Sequence, residues 1–187
     1  MNEQHPNRVT QLLTRLESGD GKAAQELFPL VYDQLRAIAG KVMQGRGGQT
    51  LQPTAMVHEA YLKLGGDASF RDSEHFVAVC ARAMRSVLTD AARRRSALKR
   101  GGDRHRVTIE GIGTAGADLD LIAVDEALND LASIDERQAR IVELRFFGAM
   151  TMERIAHHLG VSLSTVEADW RLARAWLSAH LAGESLE

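Results

Sequence analysis

Arginine and lysine side chains between residues 82 and 106 are the first group whose type and spacing indicate a chemistry. This segment contains nine arginine and lysine residues but only two acids, Asp90 and Asp103. Guanidinium groups pair with phosphate in bidentate geometry and release counterions from nucleic acids. The whole chain carries a formal net charge of only −2, so the segment predicts a local polyanion contact. The alternative is a solvated helix face.

A second candidate site is the sequence TMERIAHHLGVSLSTVEADWRLARAWL at residues 151–177. Gly160 suits a left-handed turn, and Ser162 or Ser164 can cap the helix that follows. The buried stripe of that helix is predicted to contain Val166, Trp170, Ala173 and Leu177. This spacing is typical of a helix–turn–helix that inserts its second helix into DNA, and the alternative is an ordinary helical hairpin. The exposed face is expected to present Ser164, Glu167, Ala168, Arg171 and Arg174.

The other motifs favour neither catalysis nor cofactor binding. The GxGxxG pattern at 111–116 lacks the strand and helix that a dinucleotide site needs, and residues 45–50 lack the lysine of a phosphate-binding loop. Cys80 is the single cysteine, which excludes a disulfide framework or a multi-cysteine zinc site, and its apolar helix face predicts a core position. We therefore expect no enzymatic activity, no cofactor and no metal.

The elements that must position these residues are helices. The chain has 187 residues, of which 44% are hydrophobic and only 5% aromatic, which favours a soluble all-α protein. Helical spacing predicts a short first helix that ends at Gly19, with a bend or break at Pro29 in the next one. The other predicted helices cover residues 22–43, 54–64, 73–98, 121–131, 136–147, 152–159 and 163–181.

The fourth helix has two predicted faces. Its inward face is expected to contain Phe76, Val79, Cys80, Ala83, Met84, Val87 and Leu88. Its polar face is expected to carry Arg82, Arg85, Ser86, Thr89 and Arg93.

Two small helical domains are expected, at residues 1–100 and 121–182. Residues 101–120 have no sustained period and are rich in glycine, which predicts a flexible linker. No apolar run is long enough to span a membrane, and the polar first residues do not resemble a secretory signal. A cytoplasmic location is therefore expected.

The order of these parts resembles a bacterial extracytoplasmic-function (ECF) RNA polymerase sigma factor. The resemblance is carried by MVHEAYLKL at 56–64, HFVAVCARAMRSVLTDAARRR at 75–95, and DERQARIVELRFFGAMTMERIAHHLGVSLSTVEADW at 135–170. It covers nearly the whole chain. It implies that residues 1–100 form sigma region 2, which binds the β′ clamp helices of core RNA polymerase and the minus-ten element. It also implies that residues 121–182 form region 4, which binds the β flap and the minus-thirty-five element.

The resemblance also assigns site residues in this chain. The polymerase contacts are Thr54, His58, Glu59 and Lys63. The minus-ten contacts are Arg82, Arg85, Ser86, Arg93 and Arg94, with the preceding 67–75 loop. The minus-thirty-five contacts are Ser164, Thr165, Ala168, Arg171 and Arg174. The implied partners are core RNA polymerase and promoter DNA.

Two departures from the family pattern bear on regulation and promoter reading. Family members carry several acids near the start of the polymerase-binding helix, where this chain has only Glu59. A phosphate on Thr54 or Thr50 would restore negative charge there, so a Ser/Thr protein kinase is one candidate regulator and an anti-sigma factor is the other. The alternative is that Thr54 only caps the helix. The recognition helix also has Glu167 and Asp169 where members have lysine or arginine.

Two other classes of function compete with a sigma factor. A stand-alone helix–turn–helix regulator would need an effector or receiver domain, and residues 1–100 show no strand–helix alternation that would supply one. An enzyme would need a catalytic constellation, for which no residues are found. Binding to core polymerase in the absence of DNA separates a sigma factor from a stand-alone regulator.

Overall fold

The computed structural model of the chain describes residues 4–18, 20–42, 53–64, 70–98, 106–107 and 119–184. Within these ranges the protein is all-α, as the sequence predicted. The N-terminal helices are α1 (Gln4–Glu17), α2 (Gly21–Val42), α3 (Pro53–Leu64) and α4 (Ser73–Leu98). The C-terminal helices are α5 (Leu121–Ile134), α6 (Glu136–Phe146), α7 (Met152–Leu159) and α8 (Leu163–Glu184).

Two short strands lie within the segment that the sequence predicts as a linker. Strand β1 (Arg106–Val107) pairs antiparallel with β2 (Leu119–Asp120), with Arg106 opposite Asp120. Residues 101–105 and 108–118 of the predicted linker lie outside the described residues. By proximity of Cα atoms the chain divides into two compact units, Met1–Met84 and Arg85–Glu187. This division falls inside α4, whereas the functional division at residue 100 remains a prediction.

In the first unit, α2 packs against both α1 and α3. Leu12 and Leu13 of α1 and Leu35 of α2 are buried, as helical spacing requires for an inward face. Helix α2 is continuous through Pro29, so of the bend or break predicted there the break does not occur. Pro29 lies on the exposed face, where water can bond the carbonyl that proline leaves without a helical partner.

The turn between α1 and α2 is held by Asp20. Arg15 donates to Asp20 Oδ2 from Nε at 2.9 Å and from Nη2 at 2.7 Å, and the Lys22 backbone N–H donates to Asp20 Oδ1 at 3.0 Å. The hydrogen bonds from Arg15 are the main reason that the pKa of Asp20 lies below its usual value. The carboxylate therefore caps the start of α2 in its charged form.

Helix α4 buries most of the apolar face predicted from its spacing, including Phe76, Cys80, Met84 and Leu88, but Val79 is only half-buried. Burial raises the pKa of the Cys80 thiol to about 12, which agrees with a core position. The expectation for Thr89 was wrong, because this residue is 2% exposed instead of lying on the polar face. The buried arc of α4 is wider than an i, i+4 stripe and includes neighbouring small residues. Within the described part of the chain, Thr89 Oγ1 has no hydrogen-bond partner.

The second unit buries one face of each of α5 to α8. Helix α8 packs against α5, α6 and α7. Asp120 is the N-cap of α5, and its side chain accepts from the Ile122 N–H at 3.1 Å. Asp135 is the N-cap of α6 and accepts from the Gln138 N–H at 3.0 Å. The side chains at its centre include Leu121, Leu128, Leu131, Ile141, Leu144, Phe147, Ile155 and Val166.

None of the helices in the described ranges combines the length and the apolar character that crossing a membrane requires.

Candidate nucleic-acid interface

A three-residue turn at 160–162 joins α7 to α8. Gly160 has φ +67° and ψ 32°, the left-handed conformation predicted for it. The Val161 N–H donates to the Ala156 carbonyl at 3.1 Å and closes the end of α7. Ser162 Oγ accepts from the Thr165 N–H at 3.1 Å, so Ser162 caps α8. The backbone therefore turns sharply between the two helices that the sequence assigned to a helix–turn–helix.

The predicted DNA-facing residues of α8 differ in their exposure. Ser164 and Arg171 are exposed, whereas Thr165, Ala168 and Arg174 are half-buried. On the opposite side Val166, Ala173 and Leu177 are buried as predicted.

Trp170 differs from the expectation because it is only half-buried. The Arg174 guanidinium carbon lies 5.9 Å from the centroid of the Trp170 ring, within the range of a cation–π contact. The indole can therefore remain at the edge of the core with a cation over its face. The rest of the buried stripe is as the spacing predicted.

Glu167 and Asp169, the two acids in the first turns of α8, have different environments. Asp169 is 7% exposed, and its Oδ2 accepts from Arg137 Nε of α6 at 2.7 Å. This hydrogen bond is the main reason that the pKa of Arg137 is raised. Glu167 is exposed. The helical spacing places Asp169 three residues after buried Val166, and this signal could have identified it as an inward-facing acid.

The predicted minus-ten residues of α4 also differ in their exposure. Arg82, Arg93 and Arg94 are exposed, whereas Arg85 and Ser86 are half-buried. The Arg85 side chain is only 16% exposed, compared with 51% for that of Arg93.

Asp125 of α5 binds both Arg85 and Arg93. Arg85 Nε donates to Asp125 Oδ1 at 2.8 Å, and Arg93 Nη2 donates to Asp125 Oδ2 at 3.1 Å. Arg85 Nη2 also donates to the Asp125 carbonyl oxygen at 3.0 Å and to Asn129 Oδ1 at 2.8 Å. Glu143 Oε1 of α6 lies 3.6 Å from Arg85 Nη1. These acceptors surround the Arg85 guanidinium.

Sequence reasoning did not single out Asp125 or Glu143. Asp125 and Glu126 are the two acids of the otherwise apolar run LIAVDEAL; Glu126 is exposed, whereas Asp125 lies on the same side of α5 as buried Val124 and Leu128. An acid at a buried helical position indicates a charge partner, because an unpaired buried charge is strongly unfavourable. The sequence therefore held a signal for a paired acid, but no signal for the identity of its partners.

The predicted polymerase-binding residues lie along α3. Thr54 is the second residue of this helix, after Pro53. His58 and Lys63 are exposed and Glu59 is half-buried. The His58 ring meets the Tyr32 ring edge to face, with 6.3 Å between centroids. Thr50 and residues 67–69 of the predicted minus-ten loop lie outside the described residues.

Comparison with known proteins agrees with the resemblance found in the sequence. The chain matches the family model described as ECF sigma factor over residues 6–183. A search of curated proteins gives no match. The family match includes α3, the arginines of α4, and both α7 and α8. The chain therefore belongs to the ECF sigma factor family, the alternative sigma factors that direct transcription by RNA polymerase.

Proposed function

We propose that residues 1–100 act as sigma region 2 and residues 121–182 as region 4, and that together they direct core RNA polymerase to a specific promoter. The observation that carries this proposal is the family match over residues 6–183. Run-off transcription with purified core polymerase, on the promoter upstream of the gene for this chain, tests it. A specific transcript that requires the chain is expected, and its absence would contradict the proposal.

Promoter contact at the minus-thirty-five element is assigned to one face of α8. The assigned residues are Ser164, Thr165, Ala168, Arg171 and Arg174. Exposure of Ser164 and Arg171 supports this assignment, as does the turn at Gly160. The inward position of Asp169 supports it further, because Glu167 and Asp169 would both repel DNA and one of them, Asp169, is paired with Arg137.

Contact with the minus-ten element is assigned to α4. The assigned residues are Arg82, Arg85, Ser86, Arg93 and Arg94. Their guanidinium groups would bind phosphates and stack on unpaired bases, while polymerase performs the chemistry. The exposure of Arg82 and Arg94 supports this role. The chain would thus act by binding, without a catalytic residue of its own.

Contact with the β′ clamp helices is assigned to Thr54, His58, Glu59 and Lys63 of α3. We propose that a Ser/Thr protein kinase strengthens this contact by phosphorylating Thr54 or Thr50. Thr54 lies in the first turn of α3, where the helix dipole favours an anion. A phosphate adds about −1.5 to −2 charge units. An anti-sigma factor is the alternative regulator.

Binding of core polymerase by Thr54→Ala, Thr50→Ala and the corresponding glutamate variants tests the phosphorylation proposal. The unmodified chain is expected to bind core polymerase weakly, and a glutamate at the modified position should strengthen binding. Tight binding and full transcription by the unphosphorylated chain would contradict it. A pull-down without DNA also tests the stand-alone regulator, which should not bind core polymerase.

A further inference from the structure

The side-chain oxygens that bind Arg85 and Arg93 accept hydrogen bonds from guanidinium groups, as the phosphate oxygens of DNA do. Asp125 offers one carboxylate oxygen to each arginine, and Asn129 and Glu143 place further oxygens around Arg85. Carboxylate and phosphate oxygens accept from a guanidinium in the same planar geometry. DNA and these side chains would therefore compete for the same N–H donors.

We propose that Asp125, Asn129 and Glu143 form an autoinhibitory acceptor set that masks Arg85 and Arg93 from DNA. The inference rests on the proposed role of the two arginines in promoter contact. DNA binds fully to α4 only after the acceptor set releases them. The mask is selective, because Asp125 binds Arg85 and Arg93 but not Arg82 of the same helix, which is exposed.

The burial of the two carboxylates in the acceptor set makes this competition effective. The side chains of Asp125 and Glu143 are 12% and 8% exposed, so salt screens their attraction for Arg85 less than it screens an exposed ion pair. Release would also leave Asp125 without its two cations. Intramolecular couplings of this kind change affinity by about 5-fold to 150-fold. By the same linkage, any partner that separates Asp125 from Arg85 raises the affinity for DNA.

The first experiment strengthens the mask at an exposed position. Asn129→Asp places a charged acceptor beside Arg85 Nη2, and Ala132→Asp adds the same charge at another exposed position of α5. The probe is a fluorescein-labelled, mixed-sequence 20-nucleotide single strand, titrated with the full chain at low salt. Since phosphate contacts do not depend on base sequence, the affinity for this strand measures phosphate binding by the arginines without a specific promoter sequence. Asn129→Asp should bind the strand at least about threefold more weakly than Ala132→Asp.

The second experiment weakens the mask. Asp125→Asn should bind the strand at least about fivefold more tightly than Glu126→Gln, which removes the same charge from the exposed neighbouring residue. Adding Arg85→Gln to Asp125→Asn should abolish this gain. Circular dichroism checks that each variant is folded. If Asp125→Asn does not fold, the comparison of Asn129→Asp with Ala132→Asp tests the proposal by itself.

Two results would overturn the mask. One is equal binding by Asn129→Asp and Ala132→Asp, and the other is a gain in Asp125→Asn that survives Arg85→Gln. Failure of the proposed function gives a different result: Arg85→Gln together with Arg93→Gln would then leave transcription by the polymerase complex unchanged. The two failures are therefore distinguishable.

Discussion

Replacing Glu167 and Asp169 of α8 by alanine, one at a time, tests whether Asp169 stabilises the fold while Glu167 acts only on DNA binding. Asp169 is 7% exposed and accepts from Arg137 Nε at 2.7 Å. A hydrogen bond between charged groups contributes about 1.5–3 kcal/mol when sheltered. The Arg137 side chain is 48% exposed, so we reduce this to about 1–2 kcal/mol. Asp169→Ala should lower the free energy of unfolding by that amount.

Thermal unfolding followed by circular dichroism measures the effect. In a domain of about 100 residues each 1 kcal/mol shifts Tm by about 4–8 °C, so Asp169→Ala should lower Tm by several degrees. Glu167→Ala is the matched control, because its exposed side chain should change stability by less than about 0.5 kcal/mol. Its removal should instead strengthen promoter binding. Equal Tm values for the two variants, together with equal gains in DNA affinity, would refute this reasoning.

Three further predictions concern the turn, the recognition face and the pH dependence of stability. Gly160→Ala should cost about 1–2 kcal/mol, measured by denaturant unfolding, because alanine is strained at φ +67°. Arg171→Ala and Arg174→Ala should each weaken promoter binding by about 1–3 kcal/mol if the arginine is bidentate to a base, while binding to core polymerase is retained. Asp20→Asn should lower Tm at neutral pH, and the difference from the unsubstituted chain should shrink as pH falls below about 4.

Gly183→Ala lies within α8 and should not carry the penalty of Gly160→Ala, so equal losses would contradict the argument from φ. Unchanged promoter selectivity after both arginine substitutions would place promoter reading elsewhere. Asp20 has a lowered pKa, so its contribution is present above its unfolded pKa and is lost as pH falls through the lower folded value. A difference in Tm that grows on acidification would contradict this sign.

Along α4 the helical spacing of apolar residues predicted the bounds of the helix better than the edge of its buried face. The periodicity predicted Ser73–Leu98 as one helix, and the observed helix has the same bounds. The same periodicity placed Thr89 on the polar face, which was wrong. Helical spacing identifies the centre of an apolar face, but the width of that face depends on what packs against it. Residues at its edge are therefore not assigned by spacing alone.

The sequence by itself determined the all-α class, the helices and the left-handed turn at Gly160, because these depend on contacts between residues close in the chain. Only the tertiary structure decided the partners of the charged side chains. Arg85 and Asp125 are 40 residues apart, and Arg137 and Asp169 are 32 apart. No local pattern specifies such pairs, since helix packing alone brings the two side chains within hydrogen-bonding distance and removes them from water.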